Sequence, residues 1–493
     1  MADCKKISAC ISDNIGYIAD RFHSKHNKDI ILREFKSAGG VRCFLAYIDG
    51  MADSDAINDF IMRPIMLYQH ERLDKQNVLH FNNCEITDSL DEAVTAILQG
   101  DTPVFVDGDA TCAICETKGF ERRSVSTPLT EAVVTGSQEA FNENVRTNIT
   151  LIRRAMKTAD LCTEFVSTGT LSGEKCAVLY ISGVTNKRLV NEVKRRLKNI
   201  SGDYISGSGM VSQMISDCPR SIFPTILSTE RPERAAHYIA GGRVAVICDN
   251  SPFALIMPVT LPLLLDSPES NQQRWQNGTY SRLIRIFAFF CTTMLSGIYI
   301  ALIGYHHEMI PTELLTLIAE SRKNLPFSSV TELIVMEILF ELVREAGLRV
   351  PSALGGAIGT VGGLILGTAA IDAGIVSPGT LIVVAVSGIG NAALPDYELA
   401  FGMRFIKLYT IILGAAFGII GVALSTVSIL ALLVHDYSFD ERLLTVQAIK
   451  WSAGTNMFWQ RPVYMQEMRP HSLHTIKPRQ QPDLSRKWDG DNK

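Results

Sequence analysis

One long stretch of the sequence is almost without charge, and it limits what the chain can fold into more than any other feature. Lys, Arg, Asp and Glu make up 20% of the 493 residues, whereas residues 350–434 carry few of them. The charged side chains of that stretch are Asp372, Asp396, Glu398, Arg404 and Lys407. Because an ionised side chain inside a bilayer is costly, apolar runs of this length are typical of membrane-spanning helices. We therefore predict an α-helical polytopic membrane domain over residues 283–434.

The region before this domain has the composition of a soluble α/β protein. The formal net charge of the chain is −4, which gives no sign of a nucleic-acid-binding surface. Residues 1–28 are polar and mixed in charge, without an apolar run after basic residues. We therefore expect no cleavable signal peptide and a cytoplasmic N-terminal region.

The eleven cysteines are typical of buried free thiols in a reducing compartment. Cys112 and Cys115 form a C-x-x-C motif, but residues three apart on a strand face opposite sides of a sheet. No second motif of this kind completes a four-ligand zinc site. We therefore predict structural cysteines and no metal site.

Two short motifs repeat in the soluble region. The run CFLAYIDG at residues 43–50 and the run CAVLYISG at residues 176–183 both end in Tyr-Ile-x-Gly, and both lead into a helical pattern. A strand–turn–strand pattern follows each of them, at residues 104–116 and at residues 244–257. The sequence therefore predicts two related α/β subdomains.

The expected boundaries follow from these motifs. They are an N-terminal segment at 1–29, subdomain 1 at 30–135, a connecting helix at 136–160 and subdomain 2 at 161–282. The connecting helix is basic and polar, with Arg153 and Arg154 among its side chains. It is either a solvated connector or a contact surface for a partner or a neighbouring copy.

The soluble region has no pattern of a catalytic or cofactor site. Gly207-Ser208-Gly209 lacks the third glycine and the Lys-Ser/Thr pair of a phosphate-binding loop. The ten histidines are too dispersed to suggest a triad or a metal site. We expect no enzymatic activity, no cofactor and no nucleic-acid partner.

Four spans are predicted in the membrane domain, at residues 283–305, 353–371, 375–393 and 408–434. Arg282 and Arg285 flank the first span, and basic residues dominate the tail after the last. The positive-inside rule then places both ends in the cytoplasm, which requires an even number of spans. Residues 435–493 are expected to form a cytoplasmic tail that is basic and contains proline, and residues 461–492 are expected to be flexible.

An additional helix at residues 326–346 is apolar but carries Glu337, Glu341 and Glu345 on one sector, with Arg344 beside them. Such a stripe must face water, a pore or basic partners rather than lipid. The helix is therefore amphipathic and lies on the membrane surface, or it is a re-entrant or pore-lining helix whose carboxylates attract cations. A full span is disfavoured, because five spans would put the tail outside the cell.

Glycines and a polar loop are further candidate sites in the membrane domain. Spacing by four indicates close helix packing at Gly355, Gly359, Gly363 and Gly367 in one span and at Gly414 and Gly418 in the last. Residues 391–407 are expected to form a loop, since Pro395 breaks the helix. Asn391, Asp396 and Glu398 in this loop are candidates for ion or ligand contact, with an ordinary hydrated loop as the alternative.

Several motifs, taken in their order along the chain, resemble one known family. They are GSQEAF at 136–141, LIRR at 151–154, TERP at 229–232, DNSPFAL at 249–255, MIPT at 309–312, MEILFEL at 336–342, REAG at 344–347 and GIVSP at 374–378. Together they resemble the A subunit of the GerA family of spore germinant receptors, and the resemblance covers most of the chain.

The resemblance implies a multi-pass protein of the spore inner membrane, surrounded by its lipids and assembled with a permease-like B subunit and a lipoprotein C subunit. It implies a response to small nutrients, which either this chain or a partner subunit binds, and a release of ions through a homo-oligomeric ligand-gated channel. Four spans are too few to enclose a transport path in one chain, so a pore would form between chains. A non-conducting scaffold that relays the signal between the B and C subunits is the alternative, and a stage V sporulation AF-type paralogue shares the architecture.

Overall fold

A computed structural model of the chain describes residues 5–70, 75–79, 84–119, 127–128, 130–131, 133, 135–323, 325–349, 363, 365–444 and 458–482. The chain divides into two compact units. The N-terminal unit comprises Met1–Pro219, Ile226–Pro258 and Tyr464–Lys493, and the helical unit comprises Arg220–Thr225 and Val259–Val463.

The N-terminal unit is built from two five-stranded sheets and the helices that cover them. The strands of the first sheet are β1 (Ile30–Lys36), β2 (Arg42–Ile48), β3 (Cys84–Thr87), β4 (Thr102–Val106) and β5 (Cys112–Cys115). Those of the second are β6 (Leu161–Thr168), β7 (Glu174–Ile181), β8 (Leu227–Thr229), β9 (Val244–Cys248) and β10 (Ala254–Met257). The helices are α1 (Ile11–Arg21), α2 (Ser54–Ala56), α3 (Arg63–Leu67), α4 (Lys75–Val78), α5 (Leu90–Gln99), α6 (Val145–Ala155), α7 (Lys187–Lys198), α8 (Gly207–Ile215) and α9 (Pro232–Ala240), with a π-helical turn, Ile57–Met62, between α2 and α3.

The two sheets share one topology. The strand order of the first sheet is β1-β2-β4-β5-β3 and that of the second is β6-β7-β9-β10-β8, so each strand has its counterpart five places later. All neighbouring strands in both sheets are antiparallel. The pairing of the repeated motifs is also alike, because Cys43 lies opposite Val106 and Cys176 lies opposite Cys248. The predicted pair of related α/β subdomains is confirmed.

Both faces of the first sheet are buried. Phe44 on β2 belongs to a core formed with α1 and α5, whereas its neighbour Leu45 belongs to a core formed with the helical residues 54–67. Cys112 and Cys115 fall in these two different cores, as their spacing predicts. The C-x-x-C motif is therefore not a shared metal site.

The connecting helix is shorter than the predicted range of residues 136–160. Helix α6 covers only Val145–Ala155, because Asn144 is its N-cap and accepts hydrogen bonds from the backbone N–H groups of Arg146 and Thr147. Residues 136–143, the first part of the predicted range, are not helical.

Arg153 makes α6 a buried element rather than a solvated connector, and that alternative is wrong. Its guanidinium donates to both carboxylate oxygens of Asp29, at 2.8 and 3.0 Å, and to the carbonyl oxygens of Thr158 and Leu161. The Arg153 side chain is 1% exposed. Since Asp29 precedes β1 and Leu161 begins β6, this single side chain ties the two subdomains together.

The helical unit contains seven labelled helices and a small hairpin. They are α10 (Leu261–Leu264), α11 (Trp275–Tyr305), α12 (Thr312–Arg322), α13 (Ser329–Arg349), α14 (Pro378–Ala392), α15 (Tyr397–Phe417), α16 (Ile419–His435), β11 (Tyr437–Ser438) and β12 (Glu441–Arg442). Residues 365–372 are also helical. By length and composition α11 and α15 are able to cross a membrane, while α14 and α16 are shorter apolar helices.

Contacts between helices set their directions. Tyr299 on α11 bonds Thr380 at the start of α14, and Thr292 on α11 donates to the carbonyl of Ser387 farther along α14. Helices α11 and α14 are therefore antiparallel. Helix α15 is parallel to α11, since the Tyr305 hydroxyl near the end of α11 donates to a carbonyl near the end of α15.

The predicted span over residues 408–434 is wrong, because it contains two helices. Gly418 separates α15 from α16 with a φ of +62°, a backbone conformation that glycine adopts at little cost and that interrupts a right-handed helix. Tyr409 on α15 bonds Ser428 on α16, so the two helices form an antiparallel hairpin.

The predicted loop over residues 391–407 is also wrong for most of its length. Helix α15 begins at Tyr397, where the Asp396 carboxylate caps it by accepting the backbone N–H of Leu399 at 2.7 Å. The link between α14 and α15 is therefore only the four residues 393–396. Pro395 ends α14 as expected, but a capped helix follows at once.

The segment after α16 is packed against the rest of the protein and is not a free tail, so that part of the prediction for residues 435–493 is wrong where the structure describes it. In the helical unit, the backbone N–H of Gln460 donates to the Thr279 hydroxyl near the start of α11. In the N-terminal unit, the backbone N–H of Ile476 donates to the carbonyl of Val184 at 2.9 Å. Backbone hydrogen bonds fix the segment at both places.

The end of α16 returns to the level at which α11 begins. The Ser438 hydroxyl, just after α16, accepts the backbone N–H of Val259 and donates to the carbonyl of Thr225. Both of these residues precede α11. The chain therefore leaves the helix bundle at the end where it entered.

Candidate functional site

Three carboxylates of α13 lie inside the helical unit, with Glu337 and Glu341 on one face of the helix and Glu332 on another. Glu332, Glu337 and Glu341 extend over roughly 14 Å of the helix, at a rise of 1.5 Å per residue. Each of them meets a basic side chain of a neighbouring helix. These three residues are called the α13 acid row.

Glu332 is the most deeply buried member of the row. Its side chain has no exposed surface, and it accepts a hydrogen bond from Arg322 of α12 at 3.2 Å. Its other oxygen accepts the backbone N–H of Ser377 and the hydroxyl of Thr380, at the start of α14. The N-terminal end of α14 and one guanidinium together compensate this negative charge.

Glu337 lies at the centre of the row. Lys407 of α15 donates to one carboxylate oxygen at 2.5 Å, and the hydroxyls of Ser296 on α11 and Ser387 on α14 donate to the other. The side chains of Glu337 and Lys407 are only 12% and 10% exposed. Since a charge buried this deeply must be paired, the two residues require each other.

Glu341 forms the third pair and is the most accessible of the three. It accepts a hydrogen bond from Arg404, whose guanidinium also lies over the Phe401 ring at 4.7 Å. The Glu341 side chain is 41% exposed, so water screens this pair more than the two before it.

A cavity of about 640 Å³ opens beside the α13 acid row. It is lined by Ile334, Glu337, Ile338, Glu341, Leu342, Glu345, Phe401, Arg404, Phe405, Lys407, Leu408 and Ile411. The structure therefore brings the predicted stripe of Glu337, Glu341 and Glu345 to one cavity, whose walls are otherwise largely apolar. Arg344, predicted beside the stripe, is half-buried.

Helix α13 packs among the other helices of the helical unit and is not a separate amphipathic helix on the outside of that unit. Leu333 and Met336 share a core with Ile300 of α11 and Val384 of α14. The sequence argument against a span at α13 depended on counting residues 408–434 as one span, and it fails with that count.

Gly414 allows the close approach of α15 to α11. A Cβ atom at Gly414 would lie 2.8 Å from the carbonyl oxygen of Gly297, and one at Gly297 would meet Thr410. This contact is of the kind predicted for Gly414, whereas Gly418 serves the turn instead. The missed partner is Gly297, which has no glycine four residues before or after it in α11.

The four-glycine ridge is described only in part. Gly355 and Gly359 lie outside the described residues. A Cβ atom at Gly367 would contact Leu381 of α14 at 3.2 Å, and one at Gly363 would meet no atom within 4 Å among the residues that the structure describes. Of the two described positions, only Gly367 is a close packing point.

The polar residues predicted to form a loop site have separate local positions. Asn391 is buried near the end of α14, Asp396 caps α15, and Glu398 is exposed in the first turn of α15. The capping bond gives Asp396 a structural role.

Reasoning from the sequence missed the partners of the acid row. Arg404 and Lys407 fall within the predicted loop over residues 391–407, and Glu332 lies outside the predicted stripe. Arg404 and Lys407 are three residues apart in an apolar run, which is the spacing of one helix face. That spacing was the available signal.

A duplicated α/β unit is joined in one chain to apolar helices, two of which are long and apolar enough to cross a membrane, and this arrangement is typical of a multidomain membrane protein. The sequence matches the family profile described as "Bacillus/Clostridium GerA spore germination protein" over residues 17–472. The chain belongs to this family of spore germination proteins.

Relatives of known name are similar over nearly the whole chain. From Bacillus subtilis (strain 168), the uncharacterized membrane protein YfkQ is 32% identical over 90% of this chain and 87% of its own. Spore germination protein KA is 33% identical over 95% and 87%, and spore germination protein A1 is 34% identical over 87% and 89%, both from the same organism. The crystal structure of the N-terminal domain of the A subunit of the Bacillus megaterium spore germinant receptor GerK3 matches with a TM-score of 0.40 and 27% identity, over 51% of this chain and 96% of that one.

Proposed function

We propose that this chain is the A-type subunit of a spore germinant receptor, which responds to small nutrients and triggers ion release as a subunit of an oligomeric ligand-gated ion channel. Membership of the GerA family supports the receptor role. Glu337 and Glu341 support the conduction role, because they bring carboxylates to one largely apolar cavity of the helical unit.

The pairing of the row suggests how conduction is controlled. Glu332, Glu337 and Glu341 are each neutralised by a cationic side chain of α12 or α15. A carboxylate that is held by a guanidinium or an ammonium attracts a mobile cation only weakly. Movement of α15 away from α13 would free Glu337 and Glu341 for cations, because Lys407 and Arg404 both lie on α15, so the described arrangement corresponds to a closed state.

The proposed location is the spore inner membrane, with the N-terminal unit and the C-terminal segment both on the cytoplasmic side. The packing of residues 464–482 within the N-terminal unit supports a common side for both ends. A permease-like B subunit, a lipoprotein C subunit, further copies of this chain and the surrounding lipids are the proposed partners. A partner subunit is proposed to bind the nutrient.

The alternative function is a non-conducting scaffold that relays the signal between the B and C subunits, or an AF-type paralogue that amplifies germination. The same observation favours it, since fully paired charges also serve to specify how helices pack. The two functions differ in what happens when the row loses its charge.

The test is the conductance of a lipid bilayer that contains the purified protein with its B and C partners, during exposure to a panel of nutrients. The native chain is compared with a Glu337→Gln/Glu341→Gln/Glu345→Gln variant, and Glu313→Gln on the exposed face of α12 is the matched control. Nutrient-gated current whose cation selectivity changes only in the triple variant supports the channel. An intact complex that binds nutrient without any current through the native chain refutes conduction and favours the scaffold.

A further inference from the structure

Two cysteines of the first sheet are positioned to react with each other. Cys84 on β3 and Cys115 on β5 are direct partners in the antiparallel register. Their Sγ atoms lie 3.9 Å apart, so both side chains point to the same face of the sheet. A disulfide has an S–S distance of about 2 Å, and small side-chain rotations close the remaining gap.

The two thiols differ in reactivity. The hydrogen bond that Cys115 donates, helped by the positive charge of Lys75, lowers the pKa of Cys84 to about 7 even though burial acts in the opposite direction. The same contact with Cys84, together with burial, raises the pKa of Cys115. Cys84 is half-exposed on an edge strand, whereas Cys115 is fully buried. An oxidant in solution therefore reaches the Cys84 thiolate first, whereas the buried Cys115 is reached only by its neighbour Cys84.

We propose that Cys84 and Cys115 are a redox-reactive pair, which small-molecule disulfides such as oxidised glutathione convert into a reversible cross-strand disulfide. This modification site is independent of the α13 acid row. It lies in the N-terminal unit, and its test does not depend on ion conduction.

The reaction proceeds by two thiol–disulfide exchanges. The Cys84 thiolate attacks one sulfur of the oxidant, so that a mixed disulfide forms and one thiolate of the oxidant leaves. Cys115 then loses its proton to that thiolate and attacks the Cys84 sulfur, which releases the second thiolate of the oxidant. Overall, two protein thiols are oxidised to one disulfide and one small disulfide is reduced to two thiols.

The bond would lock the edge of the first sheet. β3 is the outer strand and pairs with β5 alone in the described sheet. A link from Cys84 to Cys115 closes a covalent loop that contains α5 and β4. The amides of β3 should therefore exchange with deuterium at least tenfold more slowly after oxidation, because local opening of the edge is restricted.

The second sheet provides a matched control. Cys176 and Cys248 are also direct register partners, with Sγ atoms only 3.3 Å apart. Both are completely buried, so an oxidant in solution does not reach them in the folded protein. Proximity alone would favour this pair, whereas accessibility favours Cys84 and Cys115.

The experiment exposes the reduced, full-length protein to oxidised glutathione and maps the linked peptides under non-reducing conditions. We expect a Cys84–Cys115 link while Cys176 and Cys248 stay reduced until the protein is unfolded. Cys84→Ser should abolish the link, and Cys115→Ser should leave one glutathione attached to Cys84. Equal linkage in both pairs, or an unmodified Cys84 in the folded protein, overturns the proposal.

A second measurement uses the unmodified protein and needs no variant. Because the pKa of Cys84 lies below that of an ordinary thiol, its thiolate fraction and the rate of its modification should fall less than about a hundredfold between pH 8 and pH 5.5. A thiol of ordinary pKa loses more than a hundredfold over this range. A loss of that larger size would contradict the activated thiol.

Discussion

The pairing of Glu337 with Lys407 leads to a prediction about the stability of the helical unit. Glu337→Gln removes the negative charge but keeps the oxygen that accepts hydrogen bonds from Ser296 and Ser387. Lys407 is then left with an uncompensated charge at 10% exposure. Removing one partner of a buried pair costs roughly 3–5 kcal/mol, which corresponds to a drop in Tm on the order of 10 °C for a unit of this size.

Glu341 of the α13 acid row provides the comparison for this prediction. Glu341→Gln removes the same charge from a pair whose carboxylate is 41% exposed, and screened pairs contribute about 0–1 kcal/mol. We therefore expect a small change in Tm at Glu341 and a large one at Glu337. The double variant Glu337→Gln/Lys407→Met should recover most of the stability, because it leaves no unpaired charge.

Thermal unfolding in detergent can be followed at a single position of the helical unit. Cys291 on α11 is its only cysteine and is 6% exposed, so its labelling by a thiol reagent reports the opening of the bundle. Equal losses at Glu337 and Glu341 would refute the dependence on burial. A double variant as unstable as the single variants would refute the ion pair itself.

Two further predictions concern a buried ion pair and a close helix–helix contact. Arg153→Met should destabilise the N-terminal unit by roughly 3–5 kcal/mol, because Asp29 stays buried without its partner; chemical denaturation measures the loss, and a change below about 1 kcal/mol would contradict it. Gly414→Val should separate α15 from α11, since a Cβ atom there would lie 2.8 Å from a backbone oxygen, at a cost of about 1–3 kcal/mol or more. Faster labelling of Cys291 should reveal that separation, while Gly304→Val, where a Cβ atom meets nothing within 4 Å among the described residues, should leave it unchanged.

Local pattern was sufficient for the soluble fold because each subdomain repeats short motifs with strong signals. The apolar β-rich runs at residues 43–50 and 176–183 coincide with β2 and β7. Both are largely buried strands inside their sheets, and near-continuous apolar runs are typical of such strands. The opposite orientation of Cys112 and Cys115 also followed from the two-residue period of a strand. Periodicity is a property of neighbours in sequence, so the sequence alone reveals it.

Helix boundaries in the apolar region were harder to predict because hydropathy changes little where the backbone turns. Gly418 lies between two equally apolar runs, and only its positive φ divides them. Asp396 appeared to belong to a polar loop, but its side chain begins a helix. A cap and a loop have the same composition, and the difference lies in one hydrogen bond.

The sequence by itself determined the two-part architecture, the duplicated α/β subdomains and a helix that carries acidic residues at regular spacing. Only the tertiary structure decided what those acids meet. Glu337 and Lys407 are 70 residues apart, and Asp29 and Arg153 are 124 apart. The sequence indicates that a buried carboxylate needs a basic side chain as its partner, but several basic residues of the chain could serve as that partner. The packing of the helices and sheets selects which one lies within hydrogen-bonding distance.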